Sequence, residues 1–264
     1  MIPIDAHVHF HRREWVEPTL SAATKNFAAL AAIDSDLRGV LLLAQTRGEK
    51  IFEWLRQQLQ VGAWHVDRIV EERQSLWLTN ADHRLLVVCG RQIQAERGLE
   101  VLALGTDEQF DEQLGLESTL ELVRASRALP VLPWGFGKWT GDRGRRIQAL
   151  LAKQASDELW LGDNGGRLRN WRRPLLLEEG ERHGVRILPG TDPFPFGADY
   201  RRVGSFGCLV PGPLDSSQPW ASICMQLRHL DISPSLYGRC SRWLRFGFNQ
   251  AWMQVHMRLR DKTA

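Results

Sequence analysis

A chain of 264 residues, 43% of them hydrophobic, is long enough for one large α/β domain, and none of its apolar runs approaches the roughly 20 residues needed to cross a bilayer. The formal charge of +3 is uneven: residues 1–137 carry 14 bases and 19 acids, residues 138–264 carry 20 bases and 12 acids, which permits an anionic ligand near the C-terminal half. Cys89, Cys208, Cys224 and Cys240 are widely spaced with no CxxC pair and no leader-like run ahead of them. No disulfide framework is implied, and the expectation is reduced thiols in a cytoplasmic protein.

Ile2 to His9 reads as a first strand, and Pro18 to Ala32 as a helix with an Ala-rich middle. Leu37 to Ala44 is a continuous apolar run of the kind buried on both faces of a parallel sheet. Ile51, Phe52, Leu55 and Leu59 then share one helical face. Short β-branched or alternating runs follow at Val66 to Val70, Ser75 to Thr79, Leu85 to Gly90 and Leu99 to Leu104, and predict at least one antiparallel excursion. "STLELVRASRAL" predicts a helix with Ser118 as N-cap and Glu121 completing a capping box.

From there the alternation is regular: strand Pro130 to Gly135, helix Arg143 to Gln154, strand Glu158 to Gly162, helix Pro174 to Arg182, strand Val185 to Pro189. Ile223 to Leu230 and Ser241 to Leu259 are helical in pattern, the latter through Leu244, Phe248, Trp252 and Val255. The expected architecture is a single domain over residues 1–264. It is a distorted TIM-like β/α barrel of seven parallel strands, with 220–264 as a helical extension packed on it.

Polar residues gather just after the predicted strands, the active-site face of such barrels. They include His7 and His9, Thr46 and Arg47, Gln92 and Gln94, Lys138, Asp163 and Asn164, and Thr191 and Asp192. His7 and His9 sit two apart, so a strand aims both rings at one side. Imidazoles suit zinc, manganese or iron, and Asp5 or Asp192 is able to complete a mixed nitrogen and oxygen set. Gly190 allows close approach ahead of Asp192, and Pro193 restricts the backbone after it. "LPWGFGKWTGDRGRR" offers an anion pocket from Lys138, Arg143, Arg145 and Arg146, and "GDNGGRLRNWRR" a second basic loop. There is no GxSxG, HExxH or GxGxxG pattern to support other chemistries.

"IDAHVHFH", "LRGVLLLAQTR", "VVCGRQIQAERGLEVLALG" and "ILPGTDPFPF" together resemble a divergent PHP-type metallohydrolase, within the broader amidohydrolase-like barrel enzymes. The resemblance implies metals at the C-terminal strand ends and hydrolysis of phosphoesters. His7 and His9 match the family's first motif, and Thr191 and Asp192 match part of its last. The chain departs from the pattern at "AQTR", where an Asp-His pair is expected, at Gln92, where an acid is expected, and at "VLPWG", which has no histidine.

The resulting expectation is a metal-dependent hydrolase with His7, His9 and Asp192 as ligands of a divalent zinc, manganese or iron ion. Asp192 is the alternative acceptor of the water's proton, and Lys138 and Arg143 stabilise charge on the substrate. The expected partner is a small anionic substrate, with neither membrane nor nucleic acid. Two alternatives stand beside it: a degenerate barrel that binds a ligand or protein without turnover, and an amidohydrolase-like enzyme cleaving a C–N bond.

Overall fold

The computed structural model describes residues 1–30, 37–81, 83–153, 159–241 and 247. Strand β1 (Ile2–Val8) is buried along its whole length and is followed by helix α1 (Val16–Ala28) and strand β2 (Leu37–Leu43). After the short helix α2 (Ile51–Leu55) come β3 (Gln60–Val61), β4 (Trp64–Arg68), β5 (Ser75–Asn80), β6 (His83–Val88), β7 (Gly90–Gln94) and β8 (Glu100–Leu104). The rest alternates: α3 (Leu116–Ala125), β9 (Leu129–Pro133), α4 (Gly141–Lys153), β10 (Trp160–Asp163), α5 (Leu175–Arg182), β11 (Arg186–Pro189), β12 (Phe206–Val210), α6 (Pro219–Arg228) and β13 (Ser235–Gly238).

The expected seven-stranded parallel barrel does not form. Among the described residues the strands make two separate sheets of mixed orientation, an eight-stranded one in the order β13-β12-β1-β2-β6-β5-β4-β3 and a five-stranded one in the order β11-β10-β9-β8-β7, and neither is closed. The physical reason lies in stretches that reverse direction. The antiparallel excursion expected between Val66 and Leu104 is present as β3–β4–β5–β6, and two further stretches add to it. Arg97 and Gly98 have φ of 59° and 70°, and this tight left-handed turn folds β8 back antiparallel to β7 and then to β9. β12 and β13, absent from the sequence reading, add antiparallel strands beside β1. The parallel pairings β1–β2–β6 and β9–β10–β11 agree with the apolar runs.

Those runs are rich in apolar residues because the strands serve two cores. Val40, Leu42, Leu86, Val88, Leu102, Leu104, Val131 and Trp160 face a core shared by the two sheets. Leu41, Leu43, Leu85 and Val87 face outward against α1 and α2, and Leu132 and Leu161 against the α3, α4 and α5 side. Helix α6 adds Trp220, Ile223 and Leu227 to the shared core. Two buried charges match its dipole: Glu72 accepts from the Trp220 and Ala221 N–H groups at 2.9 and 3.0 Å, and Arg186 donates to the Leu227, Arg228 and Leu230 carbonyls at 2.8–3.2 Å.

The predicted Ser118 cap is also corrected. α3 begins at Leu116 with Gly115 ahead of it, which places Ser118 inside the helix. Within the segment read as a helical extension, Ser235–Gly238 is a strand paired with β12. The helix expected over Ser241 to Leu259 lies almost wholly outside the described residues. No helix among those described is long and apolar enough to cross a membrane.

Hydrogen bonds also join the two sheets beyond their shared core. Gln45, just past β2, bridges Arg91 of β7, and the Asp192 N–H donates to the His7 carbonyl at 2.8 Å. The second contact brings the last segment of the resemblance against the first.

Candidate metal centre

His7 and His9 leave β1 on the same face, and their Nε2 atoms are 3.1 Å apart. Asp192 reaches them because β11 runs into a turn pressed against β1. A Cβ on Gly190 would lie 2.2 Å from the His7 backbone nitrogen, so only glycine permits this approach. Asp192 itself has φ of 45°, a left-handed conformation uncommon for a residue with a side chain and characteristic of functional sites. Its Oδ1 lies 3.5 Å from both Nε2 atoms, and its Oδ2 accepts from Asn164 Nδ2 at 2.9 Å. Gln92 Oε1 stands 3.1 Å from His7 Nε2.

Two ring nitrogens and two oxygens therefore face one point, and a single imidazole proton cannot satisfy them all. A divalent cation fits this donor set. Ligand atoms about 2.0–2.2 Å from a tetrahedral ion lie roughly 3.3–3.6 Å from one another, close to the spacings of His7, His9 and Asp192, whose donor atoms all lie within 4.8 Å of one another.

Electrostatics suits the same role. Burial holds His7 below its ordinary value, against the pull of Asp192, and so favours the neutral ring that ligates. Burial alone would raise Asp192, but His7, His9 and Lys138 outweigh it and hold the carboxylate well below the usual range. Asn164 orients Asp192, whereas His9 Nδ1 is buried with no hydrogen-bond partner.

Asp5, the other carboxylate considered as a ligand, is committed elsewhere. It accepts from the Thr191 N–H at 2.8 Å, the Thr191 hydroxyl at 2.6 Å and the Gly204 N–H at 2.8 Å, tying β1 to the turn that carries Asp192. Lys138 sits beside the cluster and pairs with Glu100 at 2.5 Å. Arg143 does not join it; its guanidinium donates to the Gly137 carbonyl at 2.8 Å. Arg145 and Arg146 pair with Asp142, and Arg146 also with Glu96, so the expected anion pocket is neutralised by carboxylates. In the second basic loop Arg167 pairs with Asp163 and Arg173 with Glu181.

Sequence reasoning missed three groups. His11 stacks on His9 with ring centroids 5.1 Å apart, and its Nδ1 lies 3.7 Å from Glu49 Oε1. The third histidine of "HVHFH" was the available signal for His11; Glu49 and Glu100 had none, because only tertiary contacts bring them here.

No protein-family model matches the sequence, and no curated protein matches it. Solved structures share the fold, PsfC and PfuEndoQ among them. PsfC from Pseudomonas syringae PB-5123 aligns over 84% of this chain and 88% of its own, with TM-score 0.52 and 18% identity. The lesion-specific endonuclease PfuEndoQ from Pyrococcus furiosus aligns over 87% of this chain, with TM-score 0.50 and 12% identity. This chain spans 56% of that protein's length. The expectation that nucleic acid is not a partner is corrected here, since a protein of similar fold cleaves nucleic acid.

Proposed function

We propose that this chain is a metal-dependent hydrolase of the PHP type that cleaves a phosphoester. The observation that carries the reading is the convergence of His7, His9 and Asp192, from segments far apart in the chain, on one point where both histidines are buried and Asp192 is partly exposed. In this reading His7, His9 and Asp192 hold the ion, with Gln92 beside them where the family has an acid. A divalent zinc, manganese or iron ion held there would supply Lewis acidity, lowering the pKa of water and polarising a phosphoryl oxygen. Burial favours the neutral ring of His7, and the neighbouring His7, His9 and Lys138 favour the ionised carboxylate of Asp192, the forms that ligate a cation. Asp192 is also the nearest carboxylate to accept a proton from a water in the cluster. Lys138, held by Glu100, meets charge that develops on the phosphoryl group. Arg143 acts at one remove, by bracing the loop that carries Lys138.

The test is elemental analysis of protein purified without chelator. One divalent transition metal per chain is expected, lost in His7→Ala, His9→Ala and Asp192→Ala. Bis(p-nitrophenyl) phosphate hydrolysis should fall with it in these variants, and in wild type stripped by chelator it should fall and return when the metal is restored. A metal-free protein whose properties are indifferent to these substitutions overturns the reading.

A further inference from the structure

The surface beside the cluster carries a row of aromatic rings capped by guanidinium groups. From His9 the contacts run to His11, then to Trp15 edge-on at 6.4 Å, then to Tyr200 at 5.8 Å. Arg12 lies over Trp15 at 5.1 Å, Arg201 over Tyr200 at 6.0 Å, and Arg13 over Trp54 at 5.3 Å. Two short 3-10 turns build the row, Arg13–Trp15 after β1 and Asp199–Arg202 after β11. Each follows a segment that supplies the metal cluster. Beyond Tyr200 and Arg201 a groove of about 600 Å³ continues along α1 past Lys25.

These arginines differ from those of the two glycine-rich loops, several of which are tied to carboxylates. Arg12, Arg13 and Arg201 are exposed, and no carboxylate among the described residues lies within ion-pair distance of them. A guanidinium spread over a ring is a flat cation, able to stack under a base on its face and to hydrogen-bond a phosphate at its edge. Repeated ring-and-cation units suit a chain that alternates planar bases with phosphates. A duplex hides its base faces, whereas a single strand offers them.

We propose that Arg12, Trp15, Tyr200 and Arg201, with Arg13 and Trp54 alongside, form a binding strip for single-stranded nucleic acid that leads to the His7, His9 and Asp192 cluster. The inference deepens the proposed function by naming its substrate class, and it rests on that reading for the bond cleaved. Binding itself needs no metal.

The experiment is fluorescence anisotropy of a labelled twelve-residue oligothymidylate with the full chain in EDTA. Trp15→Leu should weaken binding roughly tenfold, the scale of one lost base stack. Arg12→Ala and Arg201→Ala should each weaken it and lower the slope of log K against log salt by about 0.7. Arg68→Ala, on the exposed side of β4, should leave it unchanged. The inference is overturned by no binding, by equal or tighter binding of the matching duplex, or by binding indifferent to the strip variants. If Trp15→Leu does not fold, the two arginine variants, at exposed positions, decide the matter. Elemental analysis separates the two readings: metal without oligonucleotide binding refutes the strip alone, and oligonucleotide binding without metal refutes the hydrolase alone.

Discussion

Asp5 makes a pH-dependent prediction whose size follows from its surroundings. It is fully buried, and burial pushes its carboxyl from an ordinary 3.8 up to about 6, against the lowering effect of hydrogen bonds from Gly204 and Thr191. The folded chain thus binds more protons than the unfolded chain between those values. Stability from this residue is complete below pH 3.8, declines as pH rises, and is gone above about 6. A shift of about two units corresponds to roughly 3 kcal/mol. Asp5→Asn cannot ionise and removes that dependence, so the variant should gain about 3 kcal/mol on the wild type between pH 4 and pH 7. Asp192 titrates in the opposite sense in both proteins, because its folded value is depressed, and it cancels in the difference. The assay is urea denaturation at a series of pH values in EDTA, comparing midpoints at constant m. A stability difference that does not vary with pH would refute the reasoning.

Three other substitutions separate the site from its scaffold. Asn164→Ala removes the donor that orients Asp192 and should weaken metal binding about 10- to 100-fold with little loss of stability, as read by chelator competition; unchanged affinity would show that Asp192 is positioned by its backbone alone. Gly190→Ala forces a Cβ into the His7 backbone, which cannot yield as a flexible side chain would, so both folding stability and metal content should drop, the former by about 1–3 kcal/mol in urea denaturation. Glu72→Gln removes the buried charge at the start of α6 and leaves one oxygen for three donors, Ser75 among them. It should cost about 1–3 kcal/mol in denaturant unfolding while metal content holds, and a loss of metal would mean that the two ends of the fold are coupled.

The amino-acid sequence by itself determined the local pieces. Runs rich in apolar residues marked β1, β2, β6, β9, β10 and β11, because strands buried on two faces need mostly apolar side chains on both. The spacing of His7 and His9 followed from the two-residue period of a strand, and Gly190 and Pro193 singled out Asp192 through backbone constraints visible in the chain itself. What only the tertiary structure decided was which pieces meet. Sheet order depends on pairings between strands distant in sequence, so the antiparallel pairing of β8 with β9 and the addition of β12 escaped a reading based on periodicity. The same holds within the site. Lys138 and Arg143 look alike as cations after a glycine-rich strand end, yet Glu100 from β8 keeps one near Asp192 while the Gly137 carbonyl holds the other in its own loop. Charge and spacing are properties of the chain, but the partner that holds each charge is supplied by the fold.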